Sequence, residues 1–157
     1  VNYYGVTQQA GQLVSFFQRG KLQGTAQDPA AMNVFANEIW LKDAAGVAIL
    51  NKQLNLPRIS ANKRGRALII NTLQNGPVEQ ALLNGTISPG KELTDDQKEV
   101  INTLTNDELA WQQVETVGYW IDAEIVNTGP GEFAADYLLV YSKDDVINKV
   151  NGRHALI

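Results

Sequence analysis

A long helical signal, bounded by proline at both ends and set between β-rich segments, constrains this chain more than any other feature. Asp28–Pro29 opens it: Asp28 suits the free amides of a first turn, and Pro29 sits where no donor is needed. Met32, Phe35, Ala36, Ile39, Trp40, Val47, Leu50 and Leu54 then recur at helical spacing, and Pro57 ends the run. A second helix is expected from Ser60 or Asn62 through Arg66, Leu68, Ile69 and Leu73. Asn75–Gly76–Pro77 should break or kink it, because proline removes an amide and clashes with the preceding turn. A short continuation over Val78 to Leu83 stops at Asn84–Gly85. Thr94 to Gln97 has the pattern of a capping box, which predicts a third helix over Asp95 to Leu104.

On either side the period is two. Val1 to Val6 and Leu13 to Phe17, joined by a polar turn, predict a hairpin. Val117, Tyr119, Ile121, Ala123 and Ile125 alternate with Gly118, Trp120, Asp122 and Glu124, which predicts a central strand. After a loop at Asn127 to Gly131 comes a strand over Tyr137 to Tyr141. Val146 to Val150 and Ala155 to Ile157 follow as short strands around Asn151–Gly152. The expected fold is α+β: one domain over 1–157, with a small β-sheet from the N- and C-terminal strands packed with two to three central helices.

Composition narrows the function. The 157 residues are 44% hydrophobic and 19% charged, the balance of a globular domain. A net charge of −4 disfavours nucleic acid and anionic membranes as partners. With no cysteine there are no disulfides, no thiol catalysis and no cysteine-bound metal. No apolar run approaches the roughly 20 residues of a membrane helix. The start at Val1, directly in strand-like sequence, suggests a piece of a longer protein or a processed product.

Chemistry is sparse. The one histidine, His154, has Ser142, Asp144 and Asp145 near it in sequence, but they form no nucleophilic motif, and a polar residue on a terminal strand is the simpler reading. The pairs Asp95–Asp96, Asp107–Glu108 and Asp144–Asp145 lack the alternating spacing of a calcium loop, and the first pair suits the first turn of a helix. Pro130 deletes an amide that a phosphate cradle at Gly129–Pro130–Gly131 would need. Lys63–Arg64–Gly65–Arg66 is a basic helix start. Asp43 falls on the apolar stripe, so a structural ion pair with Arg64 or Arg66 is expected. No cofactor, metal or small-molecule ligand is expected.

The order of features resembles a known family. A hairpin segment, VNYYGVTQQAGQLVSFFQRGKLQG, precedes a helix containing NEIWLKDAAGVAILN and a second segment, RGRALIINTLQNGPVEQALLNG. A Gly-Tyr-Trp-Ile strand and the tail YSKDDVINKVNGRHALI follow. Together these resemble the C-terminal domain of contractile phage tail sheath proteins, in a divergent sheath-like group. The resemblance implies a non-enzymatic subunit of the virion tail, made in the bacterial host cytoplasm, with its C-terminal domain on the inner side near the tail tube. It also implies extended arms, here 1–24 and 144–157, that add strands to neighbouring subunits. An unpaired strand edge is a template for another chain, and a head-to-tail contact that does not close generates a helix. The strand candidates are Val1, Asn2, Tyr3, Tyr4 and Val6 at one end and Val146, Ile147, Val150, Ala155, Leu156 and Ile157 at the other. The expected partners are neighbouring sheath subunits and the tail tube protein. The alternatives are another tail component (tube or baseplate) and, from a different class, a small hydrolase-like enzyme using His154 or the carboxylate pairs.

Overall fold

The computed structural model describes residues 2–9, 12–20 and 31–143. They form an α+β arrangement of two antiparallel hairpins with a helical region between them in sequence. The first hairpin pairs β1 (Asn2–Gln9) with β2 (Gln12–Gly20). The second pairs β3 (Tyr119–Gly129) with β4 (Glu132–Tyr141) and turns at Gly131, whose φ is 79°.

Helix α1 (Met32–Asn55) follows an extended Ala31 that offers no side-chain cap. Its core face is Leu41 and Ala45, flanked by the half-buried Trp40 and Ile49. This differs from the expected stripe: Met32, Phe35, Ile39, Val47, Leu50 and Leu54 are exposed. Most of the circumference of α1 is apolar, so spacing alone does not choose a face. The small Ala45 lets α1 approach Ile69 and Leu73 of α2 (Lys63–Leu73), and that contact decides it.

Helix α2 starts where its cap predicts, with the Asn62 side chain accepting from the amides of Arg64 and Gly65. Pro77 does not interrupt the helical rod. A π-helical turn over Gln74–Val78 absorbs it, and α3 (Glu79–Leu83) continues the same rod. Leu73, Val78 and Ala81 along this rod are almost completely buried. The capping box at Thr94 and Gln97 opens α4 (Asp95–Thr105), which ends on left-handed Asn106. A helix absent from the sequence expectation, α5 (Ala110–Val117), takes in Val117, the first residue assigned to a strand.

The base of the β3–β4 hairpin is covered on both faces. Tyr119, Ile121, Ala123, Leu139 and Tyr141 pack on the α1–α2–α3 side; Trp120 and Val140 pack against Ile101, Ala110 and Val114 of α4 and α5. β3 is not a central strand: β4 is its only strand neighbour among the described residues. Burial raises the Tyr141 phenol above its ordinary value near 10.0; Glu38, paired with Lys42 at 2.7 Å, acts in the same direction.

Gly118 makes the passage from α5 to β3. Its φ is 95°, its amide donates to the Val114 carbonyl, and a Cβ there would lie 2.7 Å from Ile87 Cγ2. Gly118→Ala should therefore lower stability by about 1–3 kcal/mol in urea unfolding. A raised phenol favours the neutral form in the folded state, so its contribution is present at neutral pH and lost as pH rises through the folded value. The alkaline fall in stability above about pH 10 should be smaller in Tyr141→Phe than in the parent, measured by urea unfolding across pH.

Candidate functional site

A two-stranded sheet has two outer edges, and they differ here. Beyond its covered base the hairpin projects, so Glu132, Phe133, Ala135, Asp136, Tyr137 and Leu138 of β4 are all exposed. Phe133 keeps 54% of its surface and Tyr137 42%. At its C-terminal end β4 is finished within the domain. Ile87 bridges Lys143, the Ser88 amide donates to the Ser142 carbonyl, and the Ser142 amide donates to the Gly118 carbonyl.

The outer edge of β3 carries a side-chain closure at Ala123. The Ala123 amide donates to Asp122 Oδ1 at 2.7 Å, and its carbonyl accepts from Arg66 Nε at 2.6 Å. Arg66 Nη2 also donates to Asp122 Oδ1, so the two side chains bond to each other as well as to the strand. Arg66 is brought there by the first turn of α2. Gly65 is buried beneath it, and a Cβ at that position would overlap the Ser60 carbonyl oxygen. Both polar groups of Ala123 are thus held by side chains, which turns them away from β4. Directly opposed residues of an antiparallel pair either exchange both hydrogen bonds or both face outward. Tyr137, opposite Ala123, therefore presents its amide and carbonyl to the outer edge of β4, as do Ala135 and Leu139 by alternation.

Two open grooves flank the hairpin. One, of about 390 Å³, is largely apolar and runs between α4 and the end of β4, with Leu93, Val100, Leu104 and Val140 in its walls. The other, about 320 Å³, lies between Leu56–Ser60 and the hairpin, at Ile125 and Phe133.

Of the sequence-derived strand candidates, Asn2, Tyr3, Tyr4 and Val6 lie on β1, opposite Gly20, Arg19, Phe17 and Ser15 of β2. One edge of that strand is thus already paired within the chain. Val1, Val146, Ile147, Val150, Ala155, Leu156 and Ile157 lie outside the described residues, as do His154 and the Asp144–Asp145 pair. Asp43 is not joined to Arg64 or Arg66. It is exposed on α1 because the stripe it interrupts faces outward, and Arg66 is engaged by Asp122. Asp95 and Asp96 occupy the first turn of α4, with Asp95 4.0 Å from Lys98. Asp122 and the β4 edge were not among the sequence candidates. The signal for the first was a charge on a strand whose same-face neighbour, Trp120, is apolar.

Residues 32–156 match the family model described as "E217 tail sheath protein gp31-like, C-terminal domain". The chain belongs to this tail sheath family. The match begins at the first residue of α1 and takes in α2 through β4, the whole helical region and the projecting hairpin. The β1–β2 hairpin precedes it. Tail sheath proteins are structural proteins. No helix among the described residues is long and apolar enough to cross a membrane. No curated protein matches the chain.

Arg66 and Asp122 keep 47% and 41% of their side-chain surface, so their pairing is screened by water. Arg66→Ala should cost no more than about 1 kcal/mol in urea unfolding.

Proposed function

We propose that this domain is the inner, tube-proximal part of a contractile tail sheath subunit and that copies of the subunit are joined by strand addition. The observation that carries this is the β3–β4 hairpin. It is a two-stranded sheet among the described residues, and main-chain donors and acceptors of Ala135, Tyr137 and Leu139 face outward along an exposed strand. The segments 1–24 and 144–157 are the arms that reach neighbouring copies, and the latter follows β4 in the sequence. Head-to-tail donation of an arm repeats without closing, which generates a helical tube.

The outward row of α1 supports the same reading. Met32, Phe35, Ile39, Val47, Leu50 and Leu54 form an apolar strip that an isolated domain leaves wet and an assembled one can bury. Strand links tolerate relative rotation of the domains they tie, so a sheath joined this way shortens without coming apart, and contraction around the tail tube drives genome ejection. The protein then acts in the virion tail, with neighbouring subunits and the tube protein as its partners.

The test uses the complete sheath subunit. Intact protein should form tubes visible by electron microscopy, and a variant lacking 146–157 should not, while its circular dichroism spectrum stays unchanged. Tubes of normal appearance from the truncated subunit would remove the tail from the assembly mechanism.

A further inference from the structure

The apolar groove between α4 and the end of β4 has the last described residue, Lys143, in its wall. We propose that this groove seats the start of the same chain's own C-terminal segment, residues 144–150, and so withholds that segment from neighbouring copies before assembly. The seat goes beyond the strand-addition reading and does not depend on it; only the withholding rests on that reading.

The groove suits apolar side chains. Leu93, Ile101 and Val140 line it and belong to one packed cluster, so its wall is fixed by the core. Val100 and Leu104 stand one helical turn apart on the α4 side and remain exposed. An occupant that brings aliphatic side chains removes apolar surface from water on both partners.

The position of Lys143 identifies the occupant. Lys143 is bridged to Ile87, and its carbonyl accepts from Lys91 Nζ at 3.3 Å, so the chain is held at the rim of the groove. Beyond it come Asp144 and Asp145, then the apolar Val146, Ile147 and Val150. The stretch from Lys143 to Val146 and Val150 reaches at most about 10 to 25 Å. The α4 wall from Gln97 to Leu104 is about 10 Å long. These apolar residues can therefore cover the whole wall. Proximity then decides whose segment sits there. A segment joined to the rim through two residues has an effective concentration on the order of millimolar, well above that of free subunits in dilute solution. The N-terminal arm is not placed to compete, since residues 2–9 and 12–20 pair with each other. A neighbour can take the segment only after it leaves the seat, which slows the first contacts of assembly.

Residue-resolved amide hydrogen exchange on the full chain tests the seat. Amides of Ile147 to Val150 should exchange at least about tenfold more slowly than in a free peptide of residues 144–157, at every protein concentration. In Val100→Lys/Leu104→Lys that protection should vanish while protection of Ile101 and Val114 stays. Both changes suit the helix: one sets a lysine four residues after Asp96, the other puts a cation in the last turn of α4. A variant of the segment itself, Ile147→Asn/Val150→Asn, leaves α4 untouched and should lose the same protection at Asn148 and Lys149. Protection that grows with concentration would put the segment on another copy and overturn the assignment. Protection that survives both variants, or none in the unaltered chain, would overturn it as well. In the complete sheath subunit, Val100→Lys/Leu104→Lys should shorten the lag before tubes appear in light scattering. An unchanged lag would overturn the withholding and leave the seat standing. Tube growth indifferent to loss of 146–157 would overturn strand addition by this arm, and the withholding with it, while the exchange result still decides the seat.

Discussion

A two-stranded antiparallel hairpin does not hold itself together in water, and the architecture here follows from that constraint. The base of β3–β4 persists because it is gripped from both sides. Ala45, Ile69 and Leu73 sit against Ala123 and Ile121, and Ile101, Ala110 and Val114 sit against Trp120 and Val140. The other half of the hairpin projects beyond this grip. Phe133, Tyr137 and Leu138 are exposed along it. The same grip explains why Arg66 can act at a strand edge: α2 is fixed against the face of β3, so a side chain from its first turn reaches around to Ala123.

Much of this arrangement was legible in the sequence where a local rule and the tertiary fold agree. Asn62 caps α2, the Thr94 and Gln97 pair caps α4, and the alternation over Tyr119 to Ile125 gives both the strand and its inward face. Elsewhere local signals were silent or ambiguous. The row Met32, Phe35, Ile39, Val47, Leu50 and Leu54 has sound helical periodicity yet faces outward, because an α1 apolar on nearly every side leaves the choice of face to its neighbours. Helix α5 follows Leu109, which offers no side-chain cap, and its Val114, Thr116 and Val117 resemble the strand that follows.

The candidate site was less legible for a related reason. A carboxylate partner for Arg66 is a sound expectation, but Asp43 fits that role only if α1 and α2 pack with their charged positions facing. The carboxylate it meets is 56 residues away on a strand, and only the fold brings them together. Edge openness is likewise a property of the assembled sheet: nothing in YLLVY says which side of the strand is left without a neighbour.

The π-helical turn around Pro77 has an outcome of its own. By lodging one extra residue per turn, it re-phases the rod, so that Leu73 belongs to the cluster with Ala45 and Ala123 while Val78 and Ala81 belong to the one with Leu41 and Ile87. A single-residue deletion there would swing everything downstream by about 100° about the helix axis, pointing Ala81 away from Leu41. The register of the downstream core is therefore set by the length of this segment.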